Sequence, residues 1–95
     1  MGFHPTARWQ DMPSVPKARY AVMERYMPQV GARGLDMMKR TATVQANYDW
    51  ASEDDLARSF AVALRAAPLV AALFANSPFV EGKPCGVLSE RQRVW

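Results

Sequence analysis

The stretch "RTATVQANYDW", residues 40–50, decides how this chain is read. Its side chains alternate: Thr41, Thr43, Gln45, Asn47 and Asp49 fall on one face, and Ala42, Val44, Ala46, Tyr48 and Trp50 on the other. Period-two alternation predicts a β-strand. The polar face is unusual, because it carries hydrogen-bonding groups with a single charge at its end. A solvated strand face usually carries charge, so the pattern leaves open what this face meets. Extended backward through Met38, the apolar face predicts a strand from Leu35 to Trp50 with a core behind it. Arg40 interrupts that apolar face, either snorkelling to its edge or reaching a ligand.

On both sides of this strand the pattern predicts helix. Tyr20, Met23, Met27 and Val30 recur at helical spacing after Pro16, and Pro28 with Gly31 and Gly34 ends that segment. Downstream, "SEDD" at 52–55 places Ser52 as N-cap and three acids at the positive end of a helix dipole. The apolar stripe Leu56, Phe60, Ala63, Leu64, Ala67, Val70, Ala71 and Phe74, widened by Val62, Leu69 and Leu73, predicts a helix buried on more than one side. Pro68 is expected to kink that helix or restart it as a second one. The opening residues 2–16 read as loop anchored by Trp9, "VEGKPCG" at 80–86 reads as loop, and a helical turn is expected from Ser89.

Ninety-five residues make one small domain, which buries about 65% of its unfolded surface. A net charge of +3 favours anionic partners, but the basic residues are scattered and no nucleic acid is expected. No uninterrupted apolar run reaches the length of a bilayer and the N-terminus lacks a signal-peptide layout, so no membrane and a cytoplasmic location are expected. The lone Cys85 cannot form an internal disulfide, in keeping with a reducing compartment. There is no Cys/His cluster, no paired-carboxylate metal motif and no phosphate-cradling glycine loop. His4 reads as structural or solvated. A greasy helix and a sheet edge with so little to cover them indicate a fragment of a larger domain.

"GLDMMKRTATVQANYDWASEDDLARSFAVAL" at 34–64 and "ALFANSPFVEGKPCGVLSERQRVW" at 72–95 resemble the plant-type glutamate-cysteine ligase family, also found in bacteria. The likeness extends back through residues 2–31 and so covers residues 1–95 as one segment internal to a catalytic domain. It implies an α+β fold, a fragment of a glutamine-synthetase-like antiparallel sheet with covering helices. It implies an ATP- and Mg2+-dependent ligase that joins the γ-carboxylate of L-glutamate to the amine of L-cysteine through γ-glutamyl phosphate, the first step of glutathione synthesis. The remainder of the catalytic domain is then this segment's partner, and the isolated fragment is expected to be inactive. The alternatives are an inactive binding scaffold and a ligase with another amine acceptor.

On this resemblance the catalytic candidates are Arg91, in the "S.R...W" segment, and Arg40. Arginine matches carboxylate and phosphate through a two-pronged fork. Thr41, Thr43, Asn47 and Arg91 are the substrate-binding candidates; Gln45 and Asn47 face the nucleotide, with the Gln45 amide oxygen as magnesium or phosphate contact. Met37, Met38, Tyr48 and Trp50 could line a cysteine pocket, though core packing is their commoner fate, and Arg93 reads as a surface residue. Two positions depart from the family pattern. Ala42 stands where plant members commonly carry a cysteine, which removes a redox switch through that residue, and Cys85 stands where asparagine is usual.

Overall fold

The computed structural model describes residues 1–95. Helices dominate: α1 (Ala18–Val30), α2 (Gly34–Arg40), α3 (Glu53–Leu73) and α4 (Glu90–Val94), with a 3-10 turn at Trp9–Asp11. A two-stranded antiparallel sheet, β1 (Phe79–Val80) with β2 (Lys83–Pro84), supplies the β part of an α+β chain. Two compact units result, one of residues 1–43 with 76–95 and the other of residues 44–75.

In the first unit, α1 runs as predicted, but Pro28 lies within its last turn and Gly31 supplies the C-cap, its N–H donating to the Met27 carbonyl at 3.0 Å. A proline there removes an N–H and costs one intrahelical bond, yet the helix runs two residues beyond it to Val30. The predicted strand does not begin at Leu35. Residues 34–40 form α2 instead, with Asp36 in the first turn and Lys39 and Arg40 in the last, the charge order a helix dipole favours. Leu, Met, Lys and Arg are good helix formers, and seven residues of local preference prevail over an alternation that properly starts only at Thr41.

The α1–α2 junction is tight. A Cβ on Gly34 would lie 2.7 Å from Cβ of Met27, so only glycine permits this approach. The N-terminal segment crosses the end of α2 in an antiparallel bridge between Phe3 and Thr41, made by the His4 N–H to the Arg40 carbonyl (2.8 Å) and the Ala42 N–H to the Gly2 carbonyl (3.1 Å). Phe3, 1% exposed, is the buried hydrophobic residue of this unit. Trp9, the expected anchor, is half-buried beneath Lys39.

The expected loop at 80–86 is in part a hairpin. Glu81 (φ 51°) and Gly82 (φ 79°) both take left-handed backbone, the geometry of a type I′ turn that matches strand twist. Glutamate is a poor residue for that conformation, which is why the turn was not visible in "VEGKP". The Gly82 N–H donates to the Pro5 carbonyl at 2.8 Å and ties the turn to the N-terminal segment. Helix α4 forms as predicted after Ser89.

In the second unit, residues 44–50 carry no regular secondary structure, and no strand ladder forms along them. Both faces are exposed, with Val44 at 99% and Tyr48 at 82%. A strand needs a neighbour to bury one face, and this unit holds only a helix besides. Helix α3 begins where predicted: Ser52 Oγ accepts from the Asp55 N–H at 3.2 Å. It continues through Pro68 as one helix, so the expected restart does not occur. The predicted burial does not occur either, since no residue of α3 is buried. Its apolar stripe faces outward, Phe60 and Leu73 included. The helix has 21 residues, and an 18-residue stretch of it has a mean hydropathy of 1.5, which is enough, by length and composition alone, to cross a membrane. Arg58 and Arg65, spaced two turns apart, interrupt the apolar run.

Candidate functional site

Arg40 is the last residue of α2 and 4% exposed. One turn back, Asp36 accepts from its Nη1 at 2.9 Å, and the Phe3 ring lies 4.4 Å from the guanidinium carbon. That stacking agrees with the weak hydration of guanidinium planes. The Nε and Nη2 donors of Arg40 are buried and make no hydrogen bond. They form one side of the fork that grips a carboxylate or phosphate, and each unmet buried donor costs about 1–3 kcal/mol. The snorkelling alternative for Arg40 does not hold, because its head is inside.

Arg91 lies against the same N-terminal segment, at Gly2. A Cβ at Gly2 would stand 3.0 Å from Cδ of Arg91 and 3.2 Å from Oδ1 of Asn76, which accepts the Gly2 N–H at 2.8 Å. Its backbone is held by the buried Ser77, whose Oγ accepts the Arg91 N–H at 3.3 Å. The Arg91 guanidinium sits 5.6 Å from the Trp95 ring centre, and its Nε, like two donors of Arg40, is buried without a hydrogen bond. The two arginines chosen from the sequence therefore lie against one segment, Gly2–Phe3, although 51 positions separate them (91 less 40).

An ion network backs them. Arg33, just before α2, lies 3.4 Å from Asp36 and 2.5 Å from Glu90, which is 2% exposed. Arg93 lies 3.4 Å from the other Glu90 oxygen, which makes no hydrogen bond. Partial burial works against the Arg33 charge, but the hydrogen bond and charge of Glu90, with Asp36 behind them, outweigh it and raise its pKa. The sequence reading missed Gly2, Phe3, Arg33 and Glu90. The Arg33–Glu90 pair and the contacts of Gly2 and Phe3 join residues far apart in the chain, whereas the local signals were the helical spacings of Arg33–Asp36, Asp36–Arg40 and Glu90–Arg93.

The polar face divides. Thr41 Oγ1 donates to the Met37 carbonyl at 2.7 Å, so it closes the end of α2. Thr43 is exposed and belongs with Thr41 to the first unit. Gln45 and Asn47 belong to the second unit; both are exposed, and Gln45 Nε2 donates to Asn47 Oδ1 at 3.4 Å. Met37 and Met38 are half-buried in α2, while Tyr48 and Trp50 are exposed. Cys85 is half-buried, with Sγ 3.6 Å from the Val87 carbonyl. No group of three or more His, Cys, Asp or Glu side chains could hold a metal ion. Magnesium favours carboxylates and water, so the donors here do not make a magnesium site by themselves.

Against known proteins, the profile of "Glutamate-cysteine ligase family 2 (GCS2)" matches residues 1–95. The chain is 56% identical over 95 residues to a chloroplastic glutamate–cysteine ligase of Brassica juncea and 55% identical to that of Arabidopsis thaliana, covering all of this chain and 18% of each relative. It is 52% identical to the Medicago truncatula protein of the same name, covering 19% of it. The chain thus spans under a fifth of the length of these relatives. Their chloroplastic names overturn the expected cytoplasmic location. One cysteine reports on redox conditions and not on a compartment, and an organelle address belongs to the start of a precursor.

Proposed function

Because the chain belongs to glutamate-cysteine ligase family 2, we propose that it forms part of the catalytic domain of an ATP-dependent ligase making γ-glutamylcysteine for glutathione. The relatives' names favour a plastid as its location. A γ-carboxylate oxygen of glutamate attacks the terminal phosphorus of ATP, and ADP leaves. The cysteine amine then attacks the resulting acyl carbon and loses a proton, and phosphate departs with the former carboxylate oxygen. Arg91 and Arg40 hold the anionic groups of substrate and acyl phosphate. Thr41, Thr43 and Asn47 supply neutral hydrogen bonds to the substrate end. Gln45, with Asn47, contacts the nucleotide phosphates and offers one amide oxygen to their magnesium. The carboxylates that complete such a metal site lie in the rest of the domain, which in this reading carries the glutamine-synthetase-like sheet that residues 41–49 join as a strand.

What carries the reading is that buried Arg40 and half-buried Arg91, each with buried donors left unmet, both lie against Gly2–Phe3. An anionic ligand whose oxygens accept from those donors recovers what they cost. The test uses the full-length protein and glutamate labelled with oxygen-18 in its γ-carboxylate. Label should appear in inorganic phosphate, and only when ATP and cysteine are both present. Product formed with unlabelled phosphate would refute the acyl-phosphate route, and no product would refute the ligase.

A further inference from the structure

Building on the ligase reading, we propose that the Arg33–Glu90 ion pair is a positioning device that sets the spacing of the Arg40 and Arg91 guanidinium groups. Arg91 rides on α4, which has five residues. A helix that short has no stability of its own, so its orientation is imposed from outside. Three ties impose it. The Glu90 N–H donates to the Ser77 carbonyl at 2.9 Å, the Arg91 N–H to Ser77 Oγ at 3.3 Å, and the Glu90 carboxylate is held by Arg33.

Only the third tie reaches the other arginine. From Glu90 it passes to Arg33, from Arg33 to Asp36 at 3.4 Å, and from Asp36 to Arg40 Nη1 at 2.9 Å. Four charged side chains thereby join the residue before Arg91 to Arg40 itself. Their burial gives the tie its force, since Glu90 is 2% and Arg40 4% exposed and neither charge can be left alone at such depth. Arg93, whose side chain is 53% exposed, is a weaker partner.

The experiment uses the full-length ligase and steady-state kinetics with glutamate, cysteine and ATP varied in turn. Arg91→Ala first identifies the substrate that Arg91 holds, as the one whose KM it raises. Glu90→Gln, nearly isosteric and so able to fold, and Arg33→Met should each raise that KM at least fivefold and leave the other two within twofold. The double variant Arg33→Met/Glu90→Met removes both charges together, which proteins often tolerate, and should do no more harm than the worse single change. If the single changes lower only Vmax and melting temperature, or if their effects on KM multiply in the double variant, the pair is merely structural and the proposal falls. If Arg91→Ala raises no KM, the assignment of Arg91 falls and this proposal with it. A raised KM in Arg91→Ala with none in Glu90→Gln removes the positioning role alone.

Discussion

At Gly2 one added methyl group would sit 3.0 Å from Cδ of Arg91 and 3.2 Å from Oδ1 of Asn76. The backbone N–H of Gly2 is anchored to Asn76, so the arginine arm must give way. Gly2→Ala in the full-length protein should therefore lower kcat/KM at least about fivefold, roughly 1 kcal/mol, with little change in melting temperature; unaltered kinetics would mean that Arg91 is indifferent to its position. Glu24 is a second single-residue case. The Ser14 hydroxyl, and then Lys39 at 3.0 Å, hold its pKa below the ordinary glutamate value of 4.5. Because the folded value is the lower one, these contacts stabilise the fold above pH 4.5 and are lost as pH falls through the folded pKa. Lys39→Met should move the Glu24 titration, followed by carboxyl NMR, upward; an unmoved curve would exclude the contact. At this scale the sequence told part of the story. Arg40 and Arg91 were legible as fork-bearing side chains in a familiar pattern, whereas Gly2, Phe3 and Glu90 act through neighbours that no local spacing reveals.

Among the elements, α3 was the most legible, since Ser52 and three acids mark its start by local chemistry. Ser52→Ala should loosen its first turn by about 1 kcal/mol, read as faster amide exchange at Asp55, whose N–H the Ser52 hydroxyl accepts; unchanged exchange would show that the cap contributes nothing. The α1–α2 junction rests on Gly34. Gly34→Ala forces a Cβ against Met27 at 2.7 Å and should cost about 1–3 kcal/mol of overpacking, measured by thermal or urea unfolding. A stability equal to the parent's would mean that the helices separate freely there. The segment 35–40 was misread because Met38 and Arg40 also fit an alternating register, and short stretches satisfy both periods. The hairpin at 79–84 was missed because Glu81 is an unfavourable residue for positive φ. The stretch 42–50 keeps its alternation, but a β-strand is a pairwise object, and within residues 44–75 no other strand accompanies it.

For the molecule as a whole, the exposed stripe of α3 and the unladdered segment before it describe a structure that buries little of its own apolar surface. The sequence made that shortage visible, and the relatives, of which the chain spans 18%, give it a context. Burial of α3 was wrongly expected within these residues because a hydrophobic stripe states that a partner exists without stating where. The isolated 95 residues should therefore show no ATP hydrolysis that depends on glutamate and cysteine; turnover above a buffer control would contradict the division of the site between this chain and the rest of its domain. The most direct measurement is steady-state kinetics of the full-length protein carrying Arg91→Ala or Gln45→Ala. Each should lose at least about tenfold in kcat/KM, the loss of one contact worth roughly 1.4 kcal/mol in the transition state; parental values in both variants would contradict a ligand-facing role for Arg91 and for the polar side of residues 41–49.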